Sequence, residues 1–229
     1  MSEGKLTIIC GHYGSGKTNL AINLAVNAAR EGKKVTLADM DIVNLYFTSS
    51  EYSGFLKDNG IRVISPTFAV TNMDVPALPA SMGSLFDSDG DVIIDAGGDD
   101  AGATALGRYS EMIRRREYEM LYVVNMYRPL TAVADDAVRT LRAIEDACGL
   151  KATAVVNNSH LKEFTTASTI TDSLAYANEV SSKAGIPLLF TTVPRTTLKE
   201  LPTEEYFNPI DVYVRTIWER TSDESDDQR

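Results

Sequence analysis

Cysteine is scarce in this chain of 229 residues, and its two cysteines, Cys10 and Cys148, lie far apart in the sequence. No C-x-x-C or C-x-C spacing occurs, so an iron–sulfur cluster or a zinc knuckle is not expected. Two unclustered cysteines fit a reducing compartment, because disulfides are rare there. The cysteine pattern therefore favours a cytoplasmic protein.

Long apolar runs and an excess of positive charge are also missing. No apolar run approaches the ~20 residues that a membrane-spanning helix needs, and the sequence does not open with the basic region and apolar stretch of a signal peptide. Lys and Arg number 22 against 32 Asp and Glu, which gives a net charge of −10. A broad nucleic-acid contact surface is not expected on a chain of this charge. We therefore expect neither a nucleic-acid partner nor a membrane partner.

The chain does have enough apolar content for one sizeable domain. Hydrophobic residues make up 44% of the sequence, and strand-like segments alternate with helix-like segments. The predicted strands are residues 5–10, 34–38, 62–65, 91–95, 120–125, 152–157 and 188–193. The predicted helices are residues 17–31, 51–58, 104–117, 130–148, 169–184 and 209–220. This alternation predicts an α/β fold, with a doubly wound, mostly parallel sheet and helices on both faces. We predict one domain over residues 1–220 and an acidic, disordered tail over residues 221–229.

A glycine-rich loop follows the first predicted strand. Residues 11–18 read G-H-Y-G-S-G-K-T and satisfy the phosphate-loop pattern G-x-x-x-x-G-K-[ST]. Glycines let backbone N–H groups curl around an anion, and the helix that follows adds its positive dipole end. Lys17 can neutralise the outer phosphates of a nucleotide, and the Thr18 hydroxyl can ligate Mg²⁺. The residues predicted to bind nucleotide here are Gly11, His12, Tyr13, Gly14, Ser15, Gly16, Lys17, Thr18 and Asn19.

Three acidic residues end predicted strands, where ligands of parallel sheets bind. Asp39 and Asp41 lie two residues apart, so both carboxylates could face the phosphate site. Asp95 ends the apolar run V-I-I, a position from which a carboxylate can hold Mg²⁺ directly or through water. We predict that Thr18 and these three acids are the metal ligands; the alternative is that the acids only terminate strands. Gly98, in D-A-G-G, has a backbone amide that could reach a γ-phosphate.

These motifs together resemble the ParA/MinD (CobQ/CobB/MinD) group of P-loop ATPases over nearly the whole chain. The matching segments are the phosphate loop, D-M-D, I-I-D-A-G-G, V-V-N-M-Y-R-P, V-V-N-N and V-P-R. The resemblance implies ATP and Mg²⁺ as cofactors, ADP as product, and catalytic roles for Lys17 and for Asp41, which would help to place the attacking water. It also implies adenine contacts from Asn157, Pro194 and Arg195. The adjacent Asn158 is an alternative to Asn157.

The chain departs from this family in its phosphate loop. Where the family has an extra lysine that crosses to the nucleotide of a partner in an ATP-sandwiched dimer, this chain has His12. A histidine is shorter than lysine and is mostly neutral near pH 7, so it does not supply a permanent cation. Arg128 and Arg195, on loops that follow strands, are candidates for the missing charge. Whether a homodimer forms without the lysine is left open.

The resemblance leads to a hypothesis about function with two alternatives. The leading hypothesis is a cytoplasmic, Mg-dependent ATPase of slow turnover, which acts as a nucleotide switch on a protein partner or in cofactor maturation. One alternative is a small-molecule ligase or kinase of the dethiobiotin-synthetase type, although the chain lacks that type's extra loop threonines. The other alternative is a module that holds nucleotide without hydrolysing it. The acidic chain lacks the basic surfaces with which family members bind DNA or membranes.

Overall fold

The fold can be followed through most of the domain. A computed structural model of the chain describes residues 4–41, 52–65, 83, 85–86, 88–98, 100–203 and 206–214. The predicted tail, residues 221–229, lies outside these ranges. The strands are β1 (Leu6–Cys10), β2 (Val35–Met40), β3 (Arg62–Ile64), β4 (Asp91–Ala96), β5 (Tyr118–Val124), β6 (Ala154–Asn157), β7 (Leu188–Pro194) and β8 (Phe207–Ile210). The helices are α1 (Lys17–Arg30), α2 (Ser53–Asp58), α3 (Asp100–Gly107), α4 (Ser110–Ile113), α5 (Ala134–Cys148), α6 (Ala167–Ala184) and α7 (Arg195–Leu198).

The described strands form one sheet in the order β3-β2-β4-β1-β5-β6-β7-β8, and every neighbouring pair is parallel. The predicted doubly wound, mostly parallel α/β sheet is therefore confirmed. β1 lies in the middle, with β4 on one side and β5 on the other. The chain thus builds outward from β1 in both directions. Sheets of this kind bind ligands at the carboxyl ends of the strands, near the point where the strand order reverses.

The sheet is covered by helices on both faces, and each face has its own apolar core. Ile8 packs with side chains of α3, α5 and α6, whereas the next residue, Ile9, packs with side chains of α1 and α2. Successive residues of a strand point to opposite faces, so a strand buried on both faces needs an unbroken apolar sequence. The L-T-I-I-C sequence of β1 meets this need, and it fixes the end of β1 firmly beneath the loop that follows.

Two of the predicted helices are wrong in part. Residues 207–210 form the edge strand β8, parallel to β7, where the prediction had a helix beginning at residue 209. Pro209 is compatible with β8 because an edge strand has one side without ladder partners. The predicted helix over residues 104–117 is instead α3, which begins at Asp100, followed by the separate short helix α4. None of the described helices is both long enough and apolar enough to cross a bilayer.

Candidate functional site

The loop between β1 and α1 closes around the amino group of Lys17. The loop turns back on itself, because Ser15 N donates to the His12 carbonyl oxygen over 3.1 Å. Lys17 Nζ donates to the same oxygen over 3.3 Å, and the side chain is only 6% exposed. A lysine is rarely buried unless a partner compensates its charge. The loop therefore holds a buried ammonium group against one of its own carbonyl oxygens.

Asn158 fixes this loop to the opposite side of the site. Its Nδ2 donates to the Ser15 carbonyl oxygen over 2.7 Å, while its Oδ1 accepts from the Thr192 hydroxyl. Gly16 leaves the room for this contact: it has φ +90°, and a Cβ at this position would lie 2.2 Å from Asn158 Nδ2. The glycine is therefore required both by its backbone conformation and by its neighbour.

Two acidic residues meet the loop from β2 and β4. Asp95 is buried and accepts a hydrogen bond from Thr18, while its Oδ1 has no hydrogen-bond partner among the described residues. Burial raises the pKa of Asp95 to about 6, with Lys17 opposing the rise and Asp41 adding to it. An ionised carboxylate oxygen that is buried and unpaired is costly, so this oxygen is suited to a cation. Asp41 is 8% exposed and lines the cavity beside the loop.

Asp39 lies differently from Asp41. It is fully buried, and its Oδ1 accepts from the Asp41 backbone N–H over 2.9 Å. It does not line the cavity. The two-residue spacing predicts that both carboxylates face the site, but β2 ends at Met40, so the alternation of a strand does not extend to Asp41. Only the second acid of the pair faces the cavity.

A cavity of about 460 Å³ opens beside the loop, and its lining includes seven of the predicted residues. These seven are Tyr13, Gly14, Gly16, Lys17, Thr18, Asn19 and Asp41. Gly98 is not part of the lining, but it packs onto the loop: a Cβ there would lie 2.7 Å from both Lys17 Nζ and Tyr13 N. The β4 loop and the phosphate loop are thus in close contact. His12 turns back on its own loop, since its Nδ1 donates to the Tyr13 carbonyl oxygen over 2.9 Å.

Three residues predicted to contact adenine do not line the cavity. Asn157 is fully buried, and its Nδ2 donates to the hydroxyls of Ser173 and Thr191. Pro194 ends β7, and Arg195 forms an ion pair with Asp211. Asn158, the alternative to Asn157, does line the cavity. Asn157 and Asn158 differ in this way because the side chains of neighbouring residues at a strand end point in opposite directions.

The rest of the lining, apart from Arg128, which the sequence suggested as a source of the missing charge, comes from residues that the sequence analysis missed. The segment after β6 contributes Leu161 and Phe164, which are 41% and 75% exposed, and a second segment after β8 contributes Val212 and Val214. These four side chains give the cavity an apolar wall. The additional polar lining residues are Asn125, Arg128, His160 and Lys162. The position of N-S-H-L-K-E-F after a predicted strand was an available signal for the first segment.

His160 is the most deeply buried titratable member of this group. Its Nδ1 accepts from Lys162 N over 3.2 Å, which places the proton of the neutral ring on Nε2. Nε2 has no hydrogen-bond partner among the residues described. Burial, and after it the positive charges of Arg128 and Lys162, lower the pKa of His160 to about 4. The imidazole is therefore neutral at pH 7.

The segment after β8 is held against α1 by two asparagines. Asn19 Oδ1 accepts from Tyr213 N and Val214 N, while Asn23 Oδ1 accepts from Asp211 N. Both amide groups donate to the Asp211 carbonyl oxygen. We call this arrangement the asparagine clamp. It fixes the apolar wall of Val212 and Val214 to the first turns of the helix that begins at Lys17.

The site has the donor set for a divalent cation that also binds phosphate. No cluster of three or more His, Cys, Asp or Glu side chains that could hold a metal is found in the described ranges. Mg²⁺, however, is usually bound by one or two carboxylates together with substrate phosphates and water, not by an all-protein cage. Thr18, Asp95 and Asp41 therefore fit Mg²⁺, and the unpaired Oδ1 of Asp95 is the atom that supports this assignment.

Comparison with known proteins assigns the chain to a described domain type and fold. A sequence model of the CobQ/CobB/MinD/ParA nucleotide-binding domain matches residues 6–202. No curated protein matches the sequence. Among solved structures, cell division protein FtsY of Thermotoga maritima is similar, with a TM-score of 0.52 and 20% identity over 84% of this chain and 63% of its own.

Two further structures are similar at the same level. The signal recognition particle receptor FtsY of Elizabethkingia anophelis has a TM-score of 0.54 and 18% identity, over 89% of this chain and 63% of its own. The signal recognition particle 54 kDa protein of Aeropyrum pernix, in complex with GDP, has a TM-score of 0.56 and 15% identity, over 83% of this chain and 41% of its own. The chain spans less than two thirds of each of these proteins, and the likeness shows the P-loop α/β fold alone.

Proposed function

Because the chain belongs to the CobQ/CobB/MinD/ParA family of nucleotide-binding domains, we propose that it binds ATP with Mg²⁺ and hydrolyses it slowly to ADP, as a nucleotide switch. The observation that carries this proposal is the meeting of Lys17, Thr18 and Asp95 under one glycine-rich loop. A buried ammonium, a hydroxyl and a carboxylate with one unpaired oxygen match the outer phosphates of a nucleotide and its metal.

The phosphate tail would lie against the backbone amides of residues 11–18, with Lys17 as its buried cation. Breaking the contact of Lys17 Nζ with the His12 carbonyl oxygen frees the ammonium for a phosphate oxygen, a stronger charge-assisted partner. The N-terminus of α1 adds its dipole to the same end of the site. These groups act on any nucleoside triphosphate, because they contact the phosphates and not the base.

Thr18 and Asp95, with Asp41 near them, are the residues that would hold Mg²⁺. When bound, the cation would neutralise the negative charge that develops on the transferred phosphoryl group. Asp41 faces the cavity from the end of β2 and is the side chain we assign to the orientation of the attacking water. The predicted metal ligand Asp39 does not face the cavity, and its Oδ1 accepts a hydrogen bond from the Asp41 backbone N–H.

The apolar wall of Leu161, Phe164, Val212 and Val214 is the surface we propose for the base. Exposed aromatic and aliphatic side chains stack well against a planar ring, and Asn158 and Asn125 lie near them with polar groups. We propose adenine from the family resemblance. Guanine is the competing base, since one structurally similar protein holds GDP.

We further propose that the switch acts on a protein partner or on a second copy of this chain, in the cytoplasm, and not on nucleic acid or a membrane. Support comes from the net charge of −10, which repels both polyanions. Gly98 supports a switch, because it lies so near Lys17 and Tyr13 that a Cβ at this position would be 2.7 Å from Lys17 Nζ and from Tyr13 N. A γ-phosphate entering between these groups would displace the β4 loop, and the loss of that phosphate would let it return.

Titration calorimetry with a non-hydrolysable ATP analogue and Mg²⁺ tests the proposal. We expect binding by the wild-type protein and a loss of at least ~100-fold in affinity for Lys17→Ala, since a buried charge pair with phosphate is removed. Lys57→Ala, an exposed lysine on α2, is the matched control and should bind as the wild type does. Equal affinity of the two lysine variants would refute the site.

The same material distinguishes hydrolysis from binding alone. In single-turnover assays with excess protein, we expect slow conversion of ATP to ADP that depends on Mg²⁺ and is lost in Asp41→Asn. Complete retention of ATP over hours would instead support a non-hydrolysing module, which the replacement of the family lysine by His12 favours. Tighter binding of the GTP analogue than of the ATP analogue would change the proposed base without changing the phosphate site.

A further inference from the structure

The loop that follows β5 is built as a rigid support. Asn125 Oδ1 accepts from Tyr127 N over 2.9 Å, and Ser159 Oγ accepts from Met126 N over 2.8 Å. The Tyr127 hydroxyl donates to the Thr169 carbonyl oxygen, which fixes the loop to α6. The short turn that continues it, Pro129–Thr131, is held in the same way, since the Tyr176 hydroxyl donates to the Thr131 carbonyl oxygen.

This support presents Arg128 to the phosphate loop. The guanidinium Nε lies 3.4 Å from the position that a Cβ on Gly14 would occupy, and Cζ lies 3.6 Å from it. Arg128 lines the same cavity as Lys17 and Thr18. It is also close enough to His160 for its charge to lower the pKa of that imidazole. The guanidinium thus lies over the loop, between the phosphate end of the cavity and the segment after β6.

Arg128 differs in its partners from Arg195, the other arginine that the sequence suggested. Arg195 forms an ion pair with Asp211 and does not line the cavity. Arg128 has no carboxylate partner within the described part of the chain. In a chain with ten more acidic than basic residues, an arginine held by an anchored loop beside Lys17 without an acid is suited to an external anion.

We propose that Arg128 is the second phosphate-binding cation of this site and that it acts in the same chain as Lys17. The proposal rests on the proposed function. It adds that Arg128 supplies the positive charge that the family lysine would give and that His12 does not. A guanidinium can bind two phosphate oxygens at once, so it stabilises the charge on the tail during transfer of the phosphoryl group to water. The water oxygen forms a bond to the γ-phosphorus, the bond from that phosphorus to the β–γ bridging oxygen breaks, and ADP leaves. One proton of the water stays on inorganic phosphate, the other passes to phosphate or solvent, and no bond to the protein forms. Because one chain holds both cations, turnover does not need a lysine from a partner.

The test compares Arg128→Ala with Arg115→Ala in single-turnover ATP hydrolysis and in binding of the non-hydrolysable analogue. Arg115 is an exposed arginine three residues before β5. It therefore lies near the N-terminal ends of the parallel strands, whereas the cavity lies at their carboxyl ends. We expect the rate to fall by on the order of 100-fold for Arg128→Ala, the usual effect of removing one charge-stabilising donor, and to stay unchanged for Arg115→Ala. Circular dichroism at matched temperature checks that both variants are folded.

Three further readouts separate a phosphate contact from a structural role. Millimolar guanidinium chloride should restore part of the rate of Arg128→Ala, Arg128→Lys should keep an intermediate rate, and the dependence of analogue affinity on salt should weaken in Arg128→Ala. The rate per wild-type chain should not change with protein concentration. If Arg128→Ala and Arg115→Ala behave alike while Lys17→Ala loses binding, this inference is wrong and the proposed function stands. If the wild-type protein binds no nucleotide, both are wrong.

Discussion

The protonation of His160 should be visible as a change of stability with pH. His160 lies at the cavity, nearly buried, with its Nδ1 committed to Lys162 N. Burial and then the charges of Arg128 and Lys162 lower its pKa to about 4, from the ordinary value of 6.5. The perturbation that tests this is His160→Gln, which keeps a neutral polar side chain and removes the titration.

The sign and size of the effect follow from the two pKa values. As the pH falls, the imidazole takes up a proton near pH 6.5 in the unfolded chain but not until about pH 4 in the folded chain. Its contribution to stability is therefore complete above pH 6.5 and is lost between pH 6.5 and 4. At about 1.4 kcal/mol for each pH unit, the full loss is about 3 kcal/mol. About 1 kcal/mol of this loss occurs between pH 7.5 and pH 5.5.

Asp95 acts in the opposite direction, so the comparison must be between matched variants. Burial raises the pKa of Asp95 to about 6, and the folded chain therefore gains a proton there before the unfolded chain does, which stabilises the fold as the pH falls below 6. This contribution is common to wild type and His160→Gln, and it cancels in their difference. The difference thus isolates the imidazole.

The assay is urea unfolding followed by far-ultraviolet circular dichroism at pH 7.5, 6.5 and 5.5. The lower limit stays above the sequence pI of about 4.7, where a protein of zero net charge tends to precipitate. We expect the free energy of unfolding of the wild type, relative to His160→Gln, to fall by about 1 kcal/mol from the highest pH to the lowest. A constant difference, or an imidazole that titrates by NMR near pH 6.5, would refute the reasoning.

Two other predictions concern the loop and the asparagine clamp. Gly16→Ala places a Cβ 2.2 Å from Asn158 Nδ2 at φ +90°, so we expect a loss of about 1–3 kcal/mol in the free energy of unfolding and a large loss of nucleotide affinity. The control is Gly54→Ala, which should be neutral or stabilising because a Cβ there has nothing within 4 Å. Equal melting temperatures of the two variants would contradict this prediction. Asn23→Ala removes the bonds to the Asp211 peptide in a buried place, so urea unfolding should show a loss of about 1–3 kcal/mol. Asn178→Ala is the control, because the Asn178 amide donates to the Leu174 carbonyl oxygen of its own helix. An equal effect of both asparagine variants would argue against the clamp.

The parts of the structure that could be predicted from sequence are those in which one residue's role follows from its near neighbours. The alternation of apolar strands with helices predicted the parallel sheet, and the loop pattern placed Lys17 and Thr18 at the start of the helix that follows β1. A strand buried on both faces needs a few consecutive apolar residues, and a backbone loop that binds an anion needs a few consecutive glycines and polar residues. Both requirements can therefore be read from a short stretch of sequence. The family resemblance, which rests on such motifs, is confirmed over residues 6–202.

The parts that could not be predicted depend on contacts between distant residues. Asn157 and Asn158 are adjacent and chemically identical, and only the pairing of β6 with its neighbours decides that Asn158 faces the loop. Val212 and Val214 reach the cavity because Asn19 and Asn23 bind their segment, a partnership across about 190 residues that no local pattern reveals. The prediction of a helix over residues 209–220 also hid the role of these two valines, because residues 207–210 form β8 and the segment after it lines the cavity.

The asparagine clamp has a consequence for the order in which this protein acquires its binding site during synthesis. Asn19 leaves the ribosome early, but the peptide groups that it binds, at residues 211–214, leave only after nearly two hundred more have been added. A nascent chain that ends before residue 211 would carry the complete phosphate loop and yet lack Val212 and Val214, which form one wall of the cavity. A nucleotide that needs this wall would therefore stabilise the finished chain and not the partial one, because a ligand stabilises only the state that binds it.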